Sequence, residues 1–115
     1  MSPSRAVIVG YSLGASVALS LAAQERTRAG IVVWSGSLPD EYRDVNVLPP
    51  LLILHGSRDT VIPEYNAQQL ASLCKLRRLK CELDMFPDEG HAFSPNATRR
   101  AEAKIREFLD DVLKQ

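Results

Sequence analysis

Short apolar runs alternate with helical patterns along the whole of this 115-residue chain. Four of these runs predict β-strands, at residues 6–9, 31–34, 51–54 and 81–86. The first three are continuous and rich in Val, Ile and Leu, as in strands that are buried on both faces. The fourth alternates between apolar and acidic residues, which predicts an edge strand.

Helical patterns follow three of the four strands. Residues 13–25 are rich in Ala and Leu and nearly free of charge, which suits a buried helix. Residues 64–76 and 96–113 each place their apolar side chains on one face. Strands that alternate with helices predict a single α/β domain with a parallel four-stranded sheet and flanking helices. The long connection after the second strand is predicted to hold one helical turn, near residues 40–44.

Charge and hydropathy exclude several classes of function. Lys and Arg together number 14, as do Asp and Glu, so no net field would attract nucleic acid or an acidic membrane. The sequence has no apolar run of transmembrane length, and its first residues lack the apolar segment of a signal peptide. We therefore expect a cytoplasmic protein without a nucleic-acid or membrane partner.

The two cysteines, Cys74 and Cys81, do not have the spacing of a zinc site. In a reducing compartment they are expected to be buried thiols rather than a disulfide. Nothing else in the sequence predicts a metal or a cofactor, so none is expected.

The pentapeptide Gly10-Tyr11-Ser12-Leu13-Gly14 lies between the first strand and the first helix. Strand, Gly-x-Ser-x-Gly and helix form the context of a nucleophile elbow, a sharp turn that presents the serine hydroxyl above the sheet. The turn is predicted to force Ser12 to positive φ, and the flanking glycines to let strand and helix approach closely. The backbone N–H of Leu13 is the predicted donor to an oxyanion.

A serine nucleophile needs a base and a third group that orients the base. The chain has two histidines, His55 and His91. Hydrolases with this elbow run Ser, then Asp or Glu, then His along the chain. Ser12, Asp59 and His91 fit that order, and each follows the carboxyl end of a predicted strand, where sites form in parallel sheets. His55 precedes the acid loop and is predicted to be structural.

Three other acids are weighed against Asp59. Asp88 and Glu89 share the loop of His91 and are expected to face solvent. Asp84 lies within the fourth strand, below the level of the site. None of them is therefore preferred as the triad acid.

Four stretches together resemble one family: SRAVIVGYSLGA at 4–15, VWSGSLP at 33–39, LHGSRDTVIP at 54–63 and FPDEGHAF at 86–93. They are similar to the small α/β-hydrolases of the carboxylesterase/phospholipase and dienelactone-hydrolase type. The resemblance implies that Ser12 is the nucleophile, Asp59 the acid and His91 the base. Dienelactone hydrolases proper use a cysteine nucleophile, so serine points to the carboxylesterase branch.

The resemblance covers the whole chain but only the second half of the α/β-hydrolase fold. Family members have about four more strands before the elbow, and the loop after the third supplies the other oxyanion donor. The chain is thus expected to be either a fragment of a longer product or a minimal hydrolase. One missing donor typically costs 10²–10³ in rate, so weak activity is expected.

The sequence predicts a serine hydrolase of small carboxylic esters, with short acyl chains favoured because the chain has no lid. Two hypotheses stay open beside it. One is an inactive remnant that serves as a folded module, and the other is transfer of the acyl group to an acceptor other than water. A homodimer is also expected, because the outer edge of the first strand would lack a neighbour.

Overall fold

A computed structural model of the protein describes residues 6–25, 28–39 and 48–114. Its elements in chain order are β1 (Ala6–Tyr11), α1 (Leu13–Glu25), β2 (Arg28–Trp34), β3 (Leu51–Gly56), α2 (Tyr65–Arg77), β4 (Cys81–Phe86) and α3 (Pro95–Leu113). The strands lie in the order β1-β2-β3-β4, and each neighbouring pair is parallel. The predicted fold class, four parallel strands with flanking helices, is confirmed. The helical turn expected near residues 40–44 lies outside the described residues.

The two faces of the sheet are covered by different helices. On one face, α1 and α2 pack on a cluster that includes Ile31, Val33 and Ile53. On the other face, α3 packs on a cluster that includes Leu52 and Leu54. Every residue of β3 is buried, as its continuous apolar sequence predicts for a central strand.

The sheet has β1 and β4 at its two edges. The prediction that β4 is an edge strand is therefore confirmed. The acidic residues of β4, Glu82 and Asp84, lie on one face of the strand. A hydrogen bond with Asp84 raises the pKa of Glu82, and burial raises it further. Charged side chains on an edge strand disfavour pairing with another chain. On β1, by contrast, the apolar side chains of Val9 and Tyr11 are about half exposed.

The expectation that Cys74 and Cys81 are free thiols is wrong, because they form a disulfide. Their Cα atoms lie 6.1 Å apart. The helix α2 ends at Arg77, and Arg78 adopts a left-handed conformation with φ 58°, which reverses the chain directly into β4. This reversal sets the last turn of α2 opposite the first residue of β4, a proximity that the spacing of the cysteines does not reveal.

In the part of the chain that the structure describes, no helix combines the length and apolar character needed to cross a membrane.

Candidate active site

Because the strands are parallel, their carboxyl ends lie along one side of the sheet, and the residues that follow the strands meet there. Ser12 follows β1, Ser35 follows β2, Asp59 lies three residues beyond β3, and His91 lies five residues beyond β4. Loops at the carboxyl ends of parallel strands are where ligands bind in open α/β sheets.

Ser12 occupies the predicted turn between β1 and α1. Its φ is 56°, in the left-handed region that a non-glycine residue rarely adopts. Its N–H donates to the carbonyl of Trp34 at 2.8 Å, and its own carbonyl accepts from Ala15 N–H at 3.1 Å. The turn is therefore fixed to β2 on one side and to α1 on the other. Leu13 is the first residue of α1, so its N–H has no acceptor within the helix.

Close approach of strand and helix depends on Gly10 but not on Gly14. A Cβ on Gly10 would lie 2.5 Å from the Cα of Ala15, so only glycine fits there. A Cβ on Gly14 would meet nothing within 4 Å, and the prediction that both glycines serve close packing is wrong for this position. A second close contact occurs at Gly36, where a Cβ would lie 2.5 Å from that of Ala15.

His91 bridges Ser12 and Asp59. Its Nδ1 lies 2.8 Å from Asp59 Oδ2, and its Nε2 lies 2.9 Å from Ser12 Oγ. Because a carboxylate only accepts hydrogen bonds, Nδ1 carries the proton and Nε2 is left with a lone pair for the serine hydroxyl. The arrangement is able to move a proton from Ser12 to the imidazole.

The carboxylate of Asp59 is enclosed and held at both oxygens. Oδ1 accepts from the N–H groups of Val61 at 2.9 Å and Ile62 at 2.8 Å, while Oδ2 accepts from His91. Burial raises the pKa of Asp59, but the hydrogen bonds from His91, Ile62 and Val61 outweigh burial and leave the pKa below its ordinary value of 3.8. The carboxylate is thus ionised at neutral pH and oriented toward His91.

His55 supports the loop that carries Asp59. Its side chain is fully buried, and Nε2 lies 2.6 Å from the carbonyl of Ile62 and 3.4 Å from Asp59 Oδ2. A carbonyl only accepts, so Nε2 carries the proton. The histidine that contacts Ser12 is His91, and the position of His55 agrees with the structural role expected of it.

The two acids beside His91 have other partners. Asp88 forms an exposed ion pair with Arg58 at 3.1 Å. The carboxylate of Glu89 accepts from the N–H of Ser94 at 2.6 Å and from the Ser94 hydroxyl at 3.2 Å, and both contacts are exposed, in agreement with the expectation that Glu89 faces solvent. Glu89 therefore ties the loop of His91 to the start of α3.

Sequence reasoning missed two residues that contact His91. The Tyr11 hydroxyl donates to the backbone carbonyl of His91 at 2.9 Å, and the Ser35 hydroxyl donates to the same atom at 3.1 Å. The sequence offered one signal for Ser35, its position, because Ser35 follows β2 directly as Ser12 follows β1. No sequence pattern indicates that both hydroxyls reach one carbonyl.

Within the described ranges, no group of three or more His, Cys, Asp or Glu side chains is arranged to hold a metal ion. The absence of a metal or a cofactor stays a prediction.

Comparison with known families gives a match over nearly the whole chain. The family model described as the dienelactone hydrolase family matches residues 1–112.

Individual proteins are similar over most of the chain. A Salmonella typhimurium protein named "Putative carboxymethylenebutenolidase" is 28% identical in an alignment 102 residues long, which covers 78% of this chain and 37% of that protein. A Mycobacterium tuberculosis protein named "Putative phosphoribosyl transferase" is 35% identical over 98 residues, which are 84% of this chain and 21% of that protein. The chain thus spans well under half the length of these relatives.

Solved structures are similar in fold. An α/β-hydrolase enzyme from a deep-sea metagenome library superposes with a TM-score of 0.83 and 16% identity. The superposition covers 100% of this chain and 57% of that one. The described strands and helices therefore correspond to about half of an α/β-hydrolase fold.

Proposed function

The chain belongs to the dienelactone hydrolase family, whose model matches residues 1–112, and we propose that it is a serine hydrolase of small carboxylic esters. The observation that carries the proposal is the position of the His91 imidazole, in hydrogen-bond contact with Ser12 Oγ and Asp59 Oδ2 at once. Nucleophile, base and orienting acid in this mutual geometry are what acyl transfer to a serine requires.

The proposed reaction has two halves. Ser12 Oγ attacks the ester carbonyl carbon while His91 Nε2 takes the hydroxyl proton, and the N–H of Leu13 donates to the oxyanion. The tetrahedral intermediate then collapses, the alcohol leaves with the proton from His91, and the acyl group stays on Ser12. Water next attacks the acyl carbonyl, His91 takes its proton and returns it to Ser12 Oγ, and the carboxylic acid leaves.

The charge of Asp59 is suited to this cycle. When His91 accepts the serine proton, its existing 2.8 Å contact with the ionised carboxylate of Asp59 becomes an ion pair. The pKa of Asp59 lies below its ordinary value, after hydrogen bonding outweighs burial, so the carboxylate keeps its charge through the cycle. We expect Asp59 to orient and stabilise His91 without itself taking up a proton.

The substrate class follows from the surroundings of the site. Leu13, next to Ser12, is 76% exposed, and Val61, two residues beyond Asp59, is 63% exposed. Exposed side chains offer little enclosed surface to a long acyl chain, and we expect acetyl and butyryl esters to be preferred over longer ones. The donor that the elbow supplies is the N–H of Leu13. Where it is the one donor to the oxyanion, hydrolysis should be weak, because loss of one donor of the usual pair costs about 10²–10³ in rate.

Hydrolysis of a p-nitrophenyl ester series tests the proposal. Ser12→Ala should abolish turnover through the acyl-enzyme and leave only the small residual rate that binding and the oxyanion donor supply, because the attacking oxygen is lost. Ser20→Ala is the matched control, since its hydroxyl bonds only within α1, to the carbonyl of Ser16. Undiminished hydrolysis by the Ser12→Ala variant would assign the activity to a contaminant.

Labelling with a fluorophosphonate separates the remaining hypotheses. An inactive remnant leaves Ser12 unlabelled, whereas a weak hydrolase is labelled slowly and at that residue alone. Product analysis in the presence of added alcohol distinguishes hydrolysis from acyl transfer, because transfer yields a new ester in place of the acid.

A further inference from the structure

The backbone carbonyl of His91 receives hydrogen bonds from two strand ends at once. Tyr11 ends β1 and donates at 2.9 Å, and Ser35 follows β2 and donates at 3.1 Å. Two hydroxyl donors on one carbonyl fill both of its lone pairs. The carbonyl belongs to the residue whose imidazole meets Ser12, so the two bonds act on the position of that ring.

Ser35 is in a conformation that glycine would adopt with less strain. Its φ is 55°, and it is fully buried. Its N–H donates to the carbonyl of Leu54 at 2.8 Å, which fixes the end of β2 to β3. A buried non-glycine residue held at positive φ is strained, and such strain points to a use for its side chain. In this structure the side chain is used to reach the carbonyl of His91.

Tyr11 contacts His91 through its ring as well as its hydroxyl. The two ring centroids lie 5.3 Å apart at 46°, and the ring of Tyr11 also meets Trp34 edge-on at 6.1 Å. The ring of Tyr11 is therefore held between the ring of Trp34 and the imidazole of His91. It precedes Ser12 directly, so any shift of the elbow is transmitted to the loop of His91.

The other side of the same loop is fixed to the turn that follows β3. The N–H of Arg58 donates to the carbonyl of Glu89 at 2.9 Å, and the N–H of Asp88 donates to Ser57 Oγ at 3.0 Å. These bonds hold residues before His91, while Tyr11 and Ser35 hold His91 itself. Without the two hydroxyls, the loop would keep its bonds to the turn after β3 and to the start of α3 but would lose those from the ends of β1 and β2.

We propose that Tyr11 and Ser35 are positioning residues that fix His91 against Ser12 through its backbone carbonyl. The effect of this positioning on turnover rests on the proposed function. Neither hydroxyl contacts the reacting atoms, so loss of either should lower kcat and leave KM nearly unchanged. Because the two donors share one acceptor, each partly replaces the other, and the double variant should lose more than the product of the single losses.

The experiment compares Tyr11→Phe, Ser35→Gly and the double variant with the native chain. Tyr11→Phe removes only the hydroxyl, and Ser35→Gly removes the hydroxyl while keeping the positive φ without strain. We expect each single variant to lower kcat by about tenfold and the double variant by more than about 10²-fold. Ser16→Ala is the control, because it also removes a hydroxyl bond to a carbonyl, that of Ser37 at 2.7 Å, outside the site.

A second readout does not depend on turnover. The proton on Nδ1 of His91, in its bond to Asp59, gives a downfield NMR signal, which should broaden or vanish in the double variant and persist in Ser16→Ala. Ser35→Gly relieves the strain but removes a buried hydrogen bond, so its thermal unfolding is measured beside its kcat. A fall in kcat in a variant that unfolds well above the assay temperature is not a loss of folding.

The outcomes separate the two proposals. If both single variants and the double variant keep native kcat and a native His91 signal, the positioning role is overturned. If the native chain shows no turnover, the proposed function fails, and the NMR comparison alone still supports or overturns the positioning of His91.

Discussion

Replacement of Gly56 by alanine should displace the loop that carries His91. A Cβ at this position would lie 2.3 Å from the carbonyl oxygen of Glu89 and 2.6 Å from that of Gly90. Ordinary contact begins near 3.4 Å, so the nearer oxygen must move by about 1.1 Å. Both oxygens belong to the backbone just before His91, and no side-chain rotation relieves the clash.

A shift of about 1 Å breaks the contact of His91 with Ser12. The distance from Nε2 to Ser12 Oγ is 2.9 Å, and an increase of that size takes it outside hydrogen-bonding range. Misplacement of a catalytic group by about 1 Å typically costs about 10²-fold in rate. Overpacking adds a loss of about 1–3 kcal/mol in the free energy of unfolding.

The assay is kcat/KM for p-nitrophenyl acetate, together with the midpoint of urea unfolding. Gly90→Ala is the matched control, because it lies in the same loop and its Cβ would meet nothing closer than Arg58 O at 3.9 Å. We expect Gly56→Ala to lose about 10²-fold and Gly90→Ala to stay within about threefold of the native chain. Native activity and stability in Gly56→Ala would refute the idea that the loop of His91 is seated against the end of β3. If the native chain proves inactive, the unfolding midpoints still test that packing.

Three further predictions concern charge, the disulfide and assembly. Asp59→Asn should lower kcat by about 10⁴-fold. Burial raises the pKa of Asp59, but hydrogen bonding outweighs burial and keeps the pKa in the folded state below 3.8. The ionised carboxylate therefore stabilises the fold fully above pH 3.8, and this stabilisation is lost as the pH falls through the pKa of the folded state. Urea titrations between pH 2 and 7 should show this loss in the native chain and not in Asp59→Asn. Cys74→Ser should lower the free energy of unfolding by about 2 kcal/mol, and a reductant should destabilise the native chain but not this variant. We propose that the chain is a homodimer through the exposed edge of β1, so light scattering should give twice the chain mass of 12.7 kDa, and a monomer at every concentration would contradict it.

Secondary structure was largely predictable because the apolar runs are short and well separated. The bounds of α1 and β4 are as predicted, and the other elements differ by a few residues at their ends. The extensions of β1 and β3 arise where Gly10 and Gly56 continue the ladder. Glycine marks no strand in a sequence, but each of these two glycines pairs with one parallel neighbour, Gly10 with Val33 and Gly56 with Phe86.

The candidate site was predictable in its three principal residues for a topological reason. In a parallel sheet, every residue that follows a strand comes to the same edge, so the order along the chain indicates which side chains can meet. The proximity of Ser12, Asp59 and His91 follows from that rule. Their catalytic roles stay a proposal until turnover is measured.

Several features depend on distances that no local pattern encodes. The disulfide required the left-handed turn at Arg78, which brings the end of α2 against the start of β4. The contacts of Tyr11 and Ser35 with the carbonyl of His91 span 80 and 56 residues of sequence.

The sequence by itself determined the order of strands and helices, the elbow and the three residues of the site, because periodicity and turn chemistry are local properties of the chain. Only the tertiary structure decided which face each helix covers, that Gly14 is free of close contact while Gly10 and Gly36 are not, and that two hydroxyls hold the carbonyl of His91. These features are set by the packing of segments far apart in sequence, where a difference of about 1 Å separates a hydrogen bond from none.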